Sequence, residues 1–205
     1  MARSSTAEDW RDYYQRTGHR PPRETLLDAL SRFDDEGTIG QAVDLGCGGG
    51  RDSVEMLRRG WSVLAIDAQA SAIETLLART ELAEFGVTPE TLVSRFEAAN
   101  WPKVDLVNSS FALPLCPVAE FPALWARIYQ SLAPGGRFSG QLYGERDQWT
   151  GDPTNSHFTR VEVDELLQNY DVEMLREEET DSRTPRGRPK HWHIFHIVAR
   201  KPATA

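Results

Sequence analysis

Two carboxylates and three glycines carry the first chemical signal in this chain. Val43-Asp44-Leu45-Gly46-Cys47-Gly48-Gly49-Gly50 reads as a short apolar strand that runs into a glycine-rich turn and then a helix. Its spacing is Asp-x-Gly-x-Gly-x-Gly, from Asp44 through Gly46, Gly48 and Gly50. Glycines let backbone approach a ligand closely and let the chain take positive φ, so at the end of a parallel strand such a turn makes a seat for a nucleoside. The second carboxylate, Asp67, closes the apolar run Val63-Leu64-Ala65-Ile66. It lies roughly twenty residues beyond the first glycine, where a carboxylate can accept from both hydroxyls of a ribose. A dinucleotide fingerprint needs a further glycine three places after Gly48, and Arg51 stands there instead. A nicotinamide-dependent oxidoreductase therefore lacks its own signature.

Other reactive side chains are more dispersed. Cys47 sits inside the glycine turn, where a small side chain suits the space, and Cys116 is the only other cysteine, so no disulfide is indicated. His191, His193 and His196 invite a metal reading, but on a strand the first two share one face and the third takes the other, so at most two align where a metal needs three or four. Sheet histidines with satisfied nitrogens are the simpler account. The stretch from Gly144 to His157 is longer than an ordinary connection and holds Glu145, Arg146, Asp147, Trp149, Asp152 and His157. This mixed set lines a pocket or forms a solvated connection. Should a hydroxyl acceptor need a general base, His157 is the candidate, because its ordinary pKa lies near neutrality.

The elements that must position these groups follow from periodicity. Leu26, Leu27, Leu30 and Phe33 recur at helical spacing, so 23–34 is an amphipathic helix opened by Pro21-Pro22. After the glycine turn, Asp52 or Ser53 caps a helix to Arg59 that stops at Gly60. One helix over 70–85 turns Ile73, Leu76 and Leu77 inward and ends at Gly86. A weak strand at 91–95, a buried strand at 104–107 and a core-facing helix through Phe121, Leu124, Trp125, Ile128 and Leu132 come next. Phe138 to Tyr143 gives a fifth strand, and Thr159 with Glu162 forms a capping box for a helix whose inner face is Val163, Leu166, Leu167 and Tyr170. From Asp171 to Ala199 two β-rich runs are separated by the charged stretch 179–188.

Length and composition bound the class. With 205 residues, 40% apolar and 26% charged, the chain fits one globular domain with a full core. A formal charge of −8 disfavours a nucleic-acid substrate, since phosphate contacts need a basic surface. The first ten residues lack the apolar stretch of a secretion signal and no run approaches a membrane span, so a cytoplasmic protein is expected, with no membrane partner. There is no internal repeat and no composition shift that marks a second domain.

Four stretches together resemble the class I S-adenosylmethionine-dependent methyltransferases: the Asp44–Gly50 turn, the strand ending in Asp67, Val104-Asp105-Leu106-Val107-Asn108-Ser109, and Leu132-Ala133-Pro134-Gly135-Gly136-Arg137-Phe138. They occur in the family's order over residues 40–143. The resemblance implies an α/β, Rossmann-like fold: a seven-stranded, mostly parallel sheet with an antiparallel last strand and helices on both faces. It implies S-adenosyl-L-methionine as cofactor, with Gly46, Cys47, Gly48 and Gly50 beneath its methionine part and Asp44 helping to hold its ammonium group. Asp67 then lies at the ribose and Phe96 and Glu97 at the adenine, with Ala68 and Ser109 also expected to bind the cofactor. In the family the acidic residue at the adenine more often stands where Phe96 does here, so a solvated Glu97 is the alternative. Residues 1–34 are expected to form a helical lid or cap before a methyltransferase domain over 35–205, with Tyr13 and Tyr14 closing over the sulfonium or merely packing the helix, and Arg20 meeting the cofactor carboxylate. Asn108-Ser109-Ser110-Phe111 departs from the Asn-Pro-Pro-aromatic signature of amine and base methyltransferases, which disfavours nucleobase amines as acceptors. The expected activity is methyl transfer to a small-molecule acceptor, similar to the bacterial group of tellurite-resistance and thiopurine-type enzymes. A silent cofactor-binding regulatory or scaffold protein is the alternative.

Overall fold

A computed structural model describes residues 13–14 and 17–203. Trp10 and most of the segment expected to precede the first long helix lie outside the described residues. The elements in chain order are α1 (Glu24–Asp35), β1 (Gln41–Leu45), α2 (Arg51–Arg58), β2 (Ser62–Asp67), α3 (Ala70–Leu77), α4 (Thr80–Phe85), β3 (Glu90–Val93), β4 (Val104–Ser109), α5 (Phe121–Ser131), β5 (Leu132–Gly144), β6 (His157–Phe158), α6 (Arg160–Leu167), β7 (Asp171–Arg183) and β8 (Pro189–Arg200).

The strands form one sheet in the order β3-β2-β1-β4-β5-β8-β7, with the two-residue β6 paired to β5 as an eighth strand. β8 runs antiparallel to both of its neighbours, and the pairings among β1 to β6 are parallel. The strand order reverses on either side of β1, so the carboxyl ends of β1 and β4 flank a crevice open to a ligand. Two apolar layers cover the sheet. α1, α2 and α3 bury Leu26, Leu30, Phe33, Met56 and Leu76 on one side, while α5 and α6 bury Phe121, Leu124, Ile128, Val163 and Leu167 on the other. This is the expected Rossmann-like class with one additional short strand.

Several boundaries differ from the sequence reading for local physical reasons. The single helix expected over 70–85 is two, because Arg79 is extended between α3 and α4 and its guanidinium reaches the Gly18 carbonyl at 2.5 Å. The break turns Leu77 outward, where it is 45% exposed. Neither Asp52 nor Ser53 caps α2. Gly50, at φ +78, precedes the helix, and a Cβ there would sit 2.2 Å from Leu76 Cδ1. The Ser53 hydroxyl instead donates to Asp44, and Asp52 accepts from the Arg23 backbone N–H. The fifth strand begins at Leu132, directly after α5. The charged stretch 179–188 is strand as far as Arg183 and a turn beyond it, with Glu179 paired to His193 and Asp181 to His191 across β7 and β8, where polar cross-strand pairs favour pairing. The capping box of Thr159 and Glu162 is present.

Candidate active site

A narrow cleft opens at the carboxyl ends of β1 and β4, lined by Tyr13, Tyr14, the turn from Gly46 to Gly49, Arg23, Arg51, Asp52 and Ser110. β1 delivers Asp44 to its floor, where the side chain is almost wholly buried. Asp44 accepts the Ser53 hydroxyl at 2.6 Å and the Asn108 amide at 2.9 Å. The same amide reaches Asp52 at 3.3 Å, and the Ser139 hydroxyl donates to Asn108 Oδ1 at 2.8 Å. Residues from β1, α2, β4 and β5 thus lock two acids side by side. Burial, reinforced by the neighbouring Asp52, pushes the Asp44 carboxyl up to about 7. The pair is a ready seat for a cationic group.

At the end of β2, Asp67 is held by the turn it serves. Its Oδ2 accepts the Gly48 N–H and its Oδ1 the Gln69 N–H, each at 2.9 Å, and burial raises its pKa. Tyr14 comes from the other side, its hydroxyl donating to Asp67 Oδ1 at 3.4 Å. Gly48, at φ +53, lets the backbone curl so that the Tyr14 ring lies against it; a Cβ there would meet the ring at 3.2 Å. Burial holds the Tyr14 phenol above its usual range and does the same to the Cys47 thiol, so Cys47 stays a neutral packing group.

The remaining expected residues are placed as follows. Ala68 is exposed beside Asp67. The Phe96 ring approaches the turn, with Cε1 3.9 Å from a Cβ built at Gly46. Glu97 faces Arg95, whose Nε donates to it at 2.6 Å. Ser109 is buried, and its hydroxyl donates to the Leu45 carbonyl at 2.9 Å, so Ser110 borders the cleft in its place. Arg20 is exposed. His157 lies on β6, outside the cleft lining, with Nε2 3.8 Å from Asp147. Asp147 is buried with the Lys190 ammonium at 2.5 Å, inside rings from Tyr143, Trp149 and Trp192. The loop from Gly144 is therefore docked rather than solvated. His191, His193 and His196 face carboxylates of β7, at 2.8 Å for the first two and 3.1 Å for the third.

Arg23 and Arg51 border this cleft, and Asn108 holds its two acids, although the sequence reading gives none of the three a place in the site. Asn108 stands within the fourth-strand motif, which is the one available signal.

Residues 42–136 match the family model of a methyltransferase domain. Among solved structures, TehB from Haemophilus influenzae superposes with a TM-score of 0.76 at 18% identity, covering 94% of this chain and 67% of that one. The N-methyltransferase NodS from Bradyrhizobium japonicum WM9, in complex with S-adenosyl-L-homocysteine, gives 0.67 at 13% identity over 97% and 100%. The 1,6-didemethyltoxoflavin-N1-methyltransferase of Burkholderia thailandensis, with didemethyltoxoflavin and S-adenosylhomocysteine bound, gives 0.62 at 19% over 97% and 84%. No curated protein sequence matches the chain. The domain match makes residues 42–136 a methyltransferase domain, and the chain as a whole shares the fold of these methyltransferases.

Proposed function

We propose that this protein transfers the methyl group of S-adenosylmethionine to a small-molecule acceptor by in-line displacement, and that it acts mainly by positioning. The observation that carries the reading is the pairing of Asp67 with the Gly48 backbone, one end of a polar floor whose other end is Asp44 and Asp52. The residues fit the cofactor. Asp67 keeps acceptor capacity for two ribose hydroxyls, Asp44 and Asp52 offer negative charge to an ammonium, and Gly48, at φ +53, presents backbone with no side chain at the turn between them. The bound sulfonium supplies an already activated methyl group. The chain's part is to hold a nucleophile in line, which in well-oriented models supplies roughly 7–11 kcal/mol.

Tyr13 and Tyr14 face the sulfonium end, and the segment before α1 acts as a lid over the domain that follows. Aromatic faces there favour a cation. His157 does not serve as the base in this reading, because its free ring nitrogen is directed at Asp147. A thiolate, oxyanion or free amine needs none. The net charge of −8 supports a small molecule over a nucleic acid, and an intracellular setting suits the cofactor. Incubation with S-adenosylmethionine and a panel of small thiols, phenols and amines tests this. S-adenosylhomocysteine should accumulate with some members, whereas tight cofactor binding without turnover would favour a silent binder.

A further inference from the structure

Arg23 borders the cleft at the mouth of α1, where its backbone N–H donates to Asp52. Its guanidinium lies 4.2 Å over the Phe111 ring, just beyond the carboxyl end of β4. Phe111 is held there at φ 58, unusual for a residue with a side chain, by its N–H donating to Gln141 Oε1 at 3.0 Å. Arg51 joins it at the cleft wall, its Nε donating to the Pro21 carbonyl. Neither guanidinium has a carboxylate within 4.0 Å among the described residues. Asp52, the acid beside them, is occupied by the Arg23 backbone N–H at 3.0 Å and the Asn108 amide. A half-buried guanidinium without a counter-ion is costly, and here two occur together in a chain whose net charge is −8. The Ser110 hydroxyl, a further donor without a partner among the described residues, lines the same cleft.

The floor runs from Asp67 on β2 through Asp44 on β1, so the ribose and ammonium ends of the cofactor lie on the β2 and β1 side. Arg23 lies past them, over β4. Resting on the methyltransferase reading above, we propose that Arg23, supported by Arg51 and Ser110, forms an oxyanion-binding subsite for the methyl acceptor. The acceptor is then a small molecule with a carboxylate or similar oxyanionic group near its nucleophile, its flat part against Phe111. Burial lowers the pKa of both arginines, with the nearby Arg20 adding to it at Arg23 and Arg23 adding to it at Arg51, which falls to about 10; Asp52 only partly offsets this, and a bound anion opposes the shift at both.

Benzoate, which joins a flat ring to a carboxylate, and its neutral methyl ester are the probes. Calorimetry on the full chain loaded with S-adenosylhomocysteine should show benzoate binding at least about tenfold more tightly than methyl benzoate, as expected for a charge-assisted bond to a guanidinium. Arg23→Met should weaken benzoate at least about tenfold and leave S-adenosylhomocysteine within about twofold. Equal binding of the two probes, or no binding of benzoate, overturns the proposal without any variant. So does an Arg23→Met protein that loses affinity for S-adenosylhomocysteine and not for benzoate, since Arg23 would then hold the cofactor's own carboxylate. Failure of the wild-type chain to bind S-adenosylhomocysteine at all overturns the methyltransferase reading beneath it.

Discussion

Asp67 ties both of its oxygens to the protein's own backbone, at Gly48 and Gln69, and keeps acceptor capacity beyond those bonds, which makes it the most informative single residue to change. Asp67→Ala removes an acceptor for two hydroxyls and should weaken S-adenosylhomocysteine by about 1.5–3 kcal/mol in calorimetry. Unchanged affinity would place the ribose elsewhere. Gly48→Val puts a branched side chain at φ +53 against the Tyr14 ring and should abolish cofactor binding while the far layer of the core keeps its fold. Asp44 makes a prediction about pH. Its folded pKa, about 7, lies above the usual carboxylate range because of burial, so the folded protein holds this proton more tightly than the unfolded chain. The stabilising contribution is present at low pH and is lost as pH rises from about 4 toward 7. Pairing with an ammonium requires the ionised form. Cofactor affinity should therefore climb with pH up to about 7 and level off above it, with proton release on binding near pH 6. A flat affinity profile between pH 6 and 8 would remove Asp44 from the ammonium site. The acids at 44 and 67 were legible in the sequence because each ends a short apolar run. Asp52 was visible only as a helix-start residue, since nothing local distinguishes a capping carboxylate from one turned into a crevice.

Between elements, the clearest dependence is the buried pair that ties the loop after β5 to β8. Lys190 and Asp147 are each almost wholly buried, and the ammonium is also enclosed by three aromatic rings. Asp147→Ala leaves that charge without its partner and should destabilise the protein by about 3–5 kcal/mol in urea unfolding. The double variant Asp147→Ala with Lys190→Met, which removes both charges and keeps apolar bulk, should cost clearly less. The reverse order would show that ring packing, not charge compensation, fastens the loop. The long stretch from Gly144 suggested function or solvation with equal force. Its docking is decided by residues more than forty positions away, a separation that no local pattern reports. The same holds for α3 and α4. Apolar periodicity runs through both, and the break comes from Arg79 reaching Gly18, sixty-one positions back.

The whole molecule joins two apolar layers about a single sheet, and the cleft lies at the strand-order reversal, so filling it should stabilise the entire fold. S-adenosylhomocysteine at a hundred times its dissociation constant adds about 2.7 kcal/mol, which for a chain of this size raises the melting temperature by roughly 5–10 °C. NAD should produce no comparable shift. A larger response to NAD would return the glycine turn to the nicotinamide reading.

What the amino-acid order determined unaided was local: apolar runs that can only be buried strands or helix faces, a glycine turn where backbone must approach a ligand, and carboxylates at fixed distances from it. Those suffice for the fold class and for the half of the cleft around the glycine turn, because that half is built from residues adjacent to the turn and to the strand ends. The other half brings together Arg23 from the mouth of α1, Arg51 from α2 and Ser110 and Phe111 from beyond β4. Their meeting depends on strand order and on which helix covers which face. Only the tertiary structure could decide it, since it is a property of long-range packing and not of spacing along the chain.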